Sequence, residues 1–293
     1  MNDVVSKEKE GDGIGWVSKE LQKLMTFVEV CQGGLSLAAS AVEVQDTLRL
    51  LDEDSGVPSR LVAPEVYKKR LEEAKKHEDF AEQELPAGFP YLFSLAAIRM
   101  WSLMESAFDQ LVVYVLRVCP QTRQMAVIQK LKGPLVPFAC LPPDEQAEFL
   151  LTQLKDEVRA NFLPGIGRFE SMLNAVGLGG PVHDEVRRAL LELSEVRHVF
   201  VHRRGEADAK LLERCPWLPF KIGDQLKVRE PELRSFFVAC VCYVIEINRR
   251  LALFENRTRS PLMAAAQARM EKLIVDSRAA CHAFVGTGEQ KFK

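Results

Sequence analysis

Apolar residues recur along this chain at the spacing of one helix face. Apolar positions at i, i+3, i+4 and i+7 predict an amphipathic helix, whereas strict alternation predicts a strand. On that rule helices are expected near residues 14–31, 37–52, 64–84, 90–118, 121–131, 143–156, 166–176, 181–204, 231–255 and 261–284. Turn-forming residues fall between them: Gly33-Gly34, Asp54-Ser55-Gly56, Pro86 to Pro90, Gly133-Pro134, Pro142-Pro143, Gly177 to Pro181, and Gly205. One stretch departs from the pattern. Cys215 to Asp224 is rich in turn formers, and Gln225 to Arg229 alternates like a short strand. The expected fold class is therefore all-α, a helical bundle with at most a short β element near 217–229. The expected division is a helical N-terminal region over 1–85, a larger helical domain over 86–255, and a C-terminal helix and tail over 256–293. Pro86 to Pro90 reads either as a linker or as a helix boundary.

Composition adds exclusions. Apolar residues make up 47% of the 293, enough to bury a core. The formal charge of −2 excludes nucleic-acid binding by bulk electrostatics, so any such contact must use a local patch. Seven cysteines without a CxxC pair argue for free thiols in a reducing compartment. Met1 to Gly15 is polar and acidic, with no apolar core of a signal peptide. The longest apolar run, Phe236 to Ile245, is far short of the ~20 residues that span a bilayer. The expected location is cytoplasmic, with no membrane partner.

Two helices draw attention. Helix 90–118 is apolar on nearly every side, which places it at the centre of a domain. Its polar residues Ser102, Glu105 and Asp109 share one stripe. That stripe either faces solvent or a structural arginine, or faces a cationic site. Helix 181–204 starts at Pro181 with Asp184 and Glu185 in its first turn, and ends on Arg203, Arg204 and Gly205. Val182, Val186, Leu190, Leu193, Val196 and Phe200 form its core stripe, with Arg197 on the edge. His198, His202, Leu191 and Val199 point elsewhere. Apolar residues mixed with histidines on an outer face imply a cover, and a second protomer is the simplest one.

The run Glu195-Val196-Arg197-His198-Val199-Phe200-Val201-His202-Arg203-Arg204-Gly205 resembles the signature of the HEPN superfamily: Arg, a polar residue, a short spacer, then His. Met100 to Phe108 resembles the long central helix of stand-alone HEPN domains, and Ile222 to Pro231 resembles their tail. The resemblance covers roughly 90–255. It implies a helical bundle that forms a homodimer along helix 181–204. It implies a metal-independent endoribonuclease without a cofactor, a toxin or effector of a defence or toxin–antitoxin system, with RNA as substrate. The alternative it leaves is a catalytically silent module that binds nucleotide, RNA or a protein. Arg197 and His202 are then the catalytic residues, and His198, Arg203 and Arg204 position substrate. A neutralising antitoxin or regulatory protein would be a separate chain, since no nucleotidyltransferase signature is present.

The residue types suit that chemistry by themselves. RNA carries its own nucleophile, the 2′-hydroxyl. Cleavage then needs a proton carrier near neutral pH and a fixed cation for the charge that develops on phosphorus, which histidine and arginine supply. Glu105 or Asp109 is the expected carboxylate that orients Arg197.

Competing readings remain. Glu195, His198 and His202 have the helical spacing of metal ligands, but no second Glu-x-x-His and no His-Glu-x-x-His occurs, so no metal site is expected. Gly177 to Gly180 lacks the Gly-Lys-Ser/Thr ending of a phosphate loop. His77 lies in a Lys- and Glu-rich run that reads as a solvated helix face.

Overall fold

The computed structural model describes residues 14–54, 64–257 and 261–286. The expectations for residues 1–13 and for the Ser55-Gly56 turn lie outside that range. Among the described residues the fold is all-α, as expected. The helices are α1 (Gly15–Ala38), α2 (Ala41–Asp54), α3 (Pro64–Ala87), α4 (Pro90–Val118), α5 (Ala126–Gln129), α6 (Leu135–Cys140), α7 (Pro143–Glu157), α8 (Gly167–Ala175), α9 (Asp184–His202), α10 (Ala209–Arg214), α11 (Glu230–Phe254) and α12 (Pro261–Gly286). The only β feature among them is an isolated antiparallel bridge between Glu206 and Gln225. No single described helix is long and apolar enough to cross a membrane; α1 and α2 pass that test only as a pair, bent by 58°.

The chain divides into two compact units, and the border is not at residue 85. One unit holds the described residues up to Lys23, then Ala97–Leu226 and the chain from Pro231 onward; the other holds Leu24–Ala96 and Lys227–Glu230. The expected C-terminal segment 256–293 is thus not a separate part, because α12 belongs to the unit that carries α9.

In the smaller unit, α1 runs unbroken through Gly33-Gly34, where a stop was expected. Two glycines in a helix interior cost about 1 kcal/mol each relative to alanine, too little to break a helix with apolar residues before and after them. α2 packs on α3, with Tyr67 Oη donating to Asp46 and the Arg49 guanidinium 5.7 Å from the Tyr67 ring centre. Pro86 to Pro90 is a helix boundary and not a linker. Gly88 (φ 77°) and Phe89 (φ 59°) take left-handed conformations, and the Phe89 amide donates to Glu84 O at 2.9 Å. This is the tight C-terminal cap that a left-handed glycine permits.

In the larger unit, α4 from Ala97 is central. Met100, Met104, Ala107, Phe108, Leu111, Val112 and Val115 are buried. Each large side chain so buried contributes about 1.5–3 kcal/mol. Phe108 stacks on Phe169 of α8 at 4.5 Å and tilts on Tyr243 of α11 at 5.0 Å, so three helices share one aromatic cluster. Beside it, buried Arg250 of α11 donates to both oxygens of Glu170 at 3.0 Å, to Glu246 at 2.9 Å, and to the carbonyls of Leu178 and Pro181. Tyr243 Oη adds a 2.7 Å bond to Glu170. A fully satisfied buried cation of this kind fixes one arrangement of the elements around it. Here it holds the Gly177 to Pro181 loop, which leads directly into α9.

Candidate functional site

α9 starts at Asp184, three residues after the expected Pro181. His183 is its N-cap, its Nδ1 accepting from the Glu185 amide at 3.3 Å. The core stripe is largely as expected: Val186, Leu190, Leu193 and Val196 are buried, while Val182 and Phe200 are half-buried. The helix ends at His202. Arg203 is the C-cap, Arg204 is left-handed at φ 55°, and Gly205 follows at φ 81°. The Arg203 and Gly205 amides both donate to Val199 O, at 2.8 and 3.2 Å. Gly205 is required here, since a Cβ would meet Gln225 Nε2 at 2.3 Å and the Phe200 ring at 3.2 Å. After this turn the chain pairs with the 223–226 segment: Ala207 N donates to Asp224 O, and Leu226 N to Gly205 O, both at 2.8 Å. The alternation seen at 225–229 marks this short pairing, which never extends into a strand.

The candidate residues gather at this C-terminal end of α9. His198 is half-buried and His202 exposed, with their rings 4.8 Å apart. Desolvation, with help from Lys210 and His202, holds the His198 imidazole below its ordinary pKa; Glu195 and Asp208 oppose the shift. Arg203 and Arg204 are exposed, and Arg203 lies 3.5 Å from Asp208. Arg197 is half-buried. Its Nε is enclosed without a hydrogen-bond partner, and no ion pair engages its guanidinium among the described residues. The structure thus brings His198 and His202 together, but no hydrogen bond, ion pair or ring contact joins Arg197 to either. On a helix, five residues place Arg197 and His202 about 140° apart around the axis.

Two expectations are corrected. Glu105 and Asp109 do not orient Arg197. Glu105 accepts from Arg168 at 2.5 Å and from Trp101 Nε1 at 2.9 Å, and Asp109 accepts from Lys155 at 2.6 Å. The polar stripe on α4 therefore satisfies structural cations from α7 and α8, the plainer of the two readings it had. The outer face of α9 is also not left open for a partner along its whole length. Val199 is fully buried within the single chain, and Leu191 is half-buried with the Gly165 backbone against it.

The covering groups on that face were not legible in the sequence. Arg214 at the end of α10 donates to buried Glu195 at 2.6 Å. Arg278 of α12, 86 residues further along the chain, donates to buried Glu192 at 2.7 Å, and Trp217 Nε1 donates to the same carboxylate at 3.1 Å. The Arg188 guanidinium lies 4.2 Å over the Trp217 ring. Burial beside Glu192 and Glu195 pushes the Cys215 thiol up to about 12, so it is an inert core group. Glu195 is thereby committed to Arg214, and no group of three His, Cys, Asp or Glu side chains is placed to hold a metal ion among the described residues.

No family model matches the chain, and neither a curated protein nor a solved structure shows significant similarity to it.

Proposed function

We propose that the protein is a metal-independent endoribonuclease of the HEPN type, an effector or toxin of a defence or toxin–antitoxin system acting in the cytoplasm. The observation that carries this reading is the end of α9: a half-buried and an exposed histidine in ring contact, on the same helix as an arginine that no ion pair engages among the described residues. A half-buried guanidinium whose enclosed Nε has no acceptor gains from an anion that meets it. A phosphodiester supplies that anion, and His202 is placed at the surface to exchange a proton with the 2′-hydroxyl or the leaving 5′-oxygen. His198, Arg203 and Arg204 then guide the backbone of the RNA. The reaction forms the bond from the 2′-oxygen to phosphorus and breaks the bond to the 5′-oxygen, leaving a 2′,3′-cyclic phosphate and a 5′-hydroxyl.

Arg197 and His202 diverge within one helix, so catalysis on one phosphate asks for a second copy that brings the two types of residue into one cleft. Val201, nearly half exposed between the two histidines, suits such a two-fold contact. The same divergence favours the rival reading, a catalytically silent module that binds nucleotide, RNA or a protein, for a chain whose α9 never meets the α9 of a second copy. Incubating the purified protein with total RNA in EDTA separates the two. Cleavage products with cyclic phosphate ends are expected, and they should be absent with His202→Ala. Binding without cleavage would leave the silent module as the better account.

A further inference from the structure

The smaller unit carries an apolar seam that no described residue covers. Phe27, Val30, Gly34, Leu37, Ala41, Val44, Leu48 and Leu51 follow one another at spacings that alternate strictly between three and four residues. Within each of α1 and α2 this is the heptad spacing of a stripe that meets another helix, and the two stripes join at the 58° bend between the helices. In the structure every one of these positions except Ala41 is exposed. Phe27 is 60%, Val30 67% and Leu37 78% exposed. No charged residue interrupts the seam on α1, and Gly33 and Gly34 have nothing within 4 Å of where a Cβ would stand. A neighbouring helix can therefore approach the α1 backbone closely.

We propose that this seam docks on the same seam of a second copy of the chain, antiparallel, so that the α1 stripe of one copy lies on the α2 stripe of its partner. Three observations select this occupant. The first is the heptad spacing, which fits a helix and is self-complementary under a two-fold axis near the α1–α2 junction. The second is size. Six large apolar side chains on the seam are each 50–78% exposed, and burying them on both copies supplies the apolar centre that an interface of about 800 Å² per partner needs. The third is charge. α2 carries Glu43, Asp46, Glu53 and Asp54 beside its stripe, while its single cation Arg49 is paired with Glu53 at 2.8 Å. That acidic margin disfavours an anionic lipid surface. It also disfavours a parallel pairing, which would set two acidic α2 helices side by side, whereas the antiparallel pairing sets α2 against the uncharged α1 stripe.

Light scattering of the full chain at micromolar concentration tests the proposal. A self-associated species is expected. Leu37→Glu combined with Val30→Glu should raise its dissociation constant by about 100-fold or more, with an unchanged helical circular dichroism spectrum. Leu37→Met should keep it. A strictly monomeric wild-type chain would overturn the proposal. So would association that survives the double variant and is lost in Val201→Glu, which would assign pairing to α9 alone. Wild-type chain that stays monomeric but sediments with phosphatidylcholine vesicles, while the double variant does not, would assign the seam to lipid instead. Loss of RNA cleavage in His202→Ala bears on the ribonuclease reading and leaves this test untouched.

Discussion

At the scale of single residues, Arg197 and the two histidines differ in what their loss should do. His202 is exposed, and its one aromatic ring contact among the described residues is with His198, so His202→Ala should remove cleavage and change stability by less than about 0.5 kcal/mol in urea unfolding. Arg197→Ala should also remove cleavage. Its stability effect should be small or even favourable, because the substitution deletes an enclosed donor that has no partner. Arg197→Lys should restore little activity, since a point charge does not reproduce the planar fork at a phosphate. A lysine variant with near-wild-type turnover would show that Arg197 acts as a bare charge. His198 makes a separate prediction through pH. Its folded pKa lies below the unfolded value, so the unfolded chain takes up the proton first as pH falls. Its contribution to stability is whole above about pH 6.5 and is lost as pH drops through the depressed folded value. His198→Gln should flatten that part of the stability profile; an unchanged profile would place the acid sensitivity elsewhere.

At the scale of elements, periodicity predicted the long helices well because helical spacing persists over many turns between clear turn formers. α4, α9 and α11 lie close to their expected ranges for that reason. It missed α6 and α10, six residues each, which are too short to show a period. It also ended the first helix at Gly33-Gly34, giving a local propensity more weight than the apolar residues on both sides justify. The site was legible as a motif and as an end of a helix. Its supports were not, because Arg214, Trp217 and Arg278 meet α9 only through tertiary packing that no local spacing records. The same holds for Arg250, which joins α8, α11 and the loop before α9 through Glu170, Glu246, Leu178 and Pro181. Removing one member of such a network strands the others. Arg250→Ala should therefore cost about 3–5 kcal/mol in urea unfolding. Arg250→Lys should recover only part, because an ammonium cannot reach four acceptors in a plane. A loss below about 1 kcal/mol would mean that water replaces the guanidinium there.

At the scale of the whole molecule, the α9 helix is held by a residue from near the end of the chain. Arg278 and Glu192 are both almost fully buried, and their 2.7 Å pair is supplemented by Trp217. Glu185 lies 3.5 Å from the Arg278 Nε, a distance and geometry that make an ion pair but no hydrogen bond. Truncation after Arg257 removes Arg278 and leaves the Glu192 carboxylate with Trp217 Nε1 as its donor. Breaking a buried pair from one side costs about 3–5 kcal/mol, most of it the uncompensated charge. The truncated chain should thus lose stability by that order and show faster hydrogen exchange along α9. The cause is separable from the simple loss of α12 packing by a second change. Glu192→Gln removes the charge while keeping the acceptor for Trp217 Nε1. In the full-length chain this substitution should destabilise, because it strands Arg278. In the truncated chain it should stabilise, because no cation remains to strand. A sign reversal between the two backgrounds, read from urea midpoints, is the expected outcome. The same sign in both would show that α12 supports the motif helix through apolar contact alone.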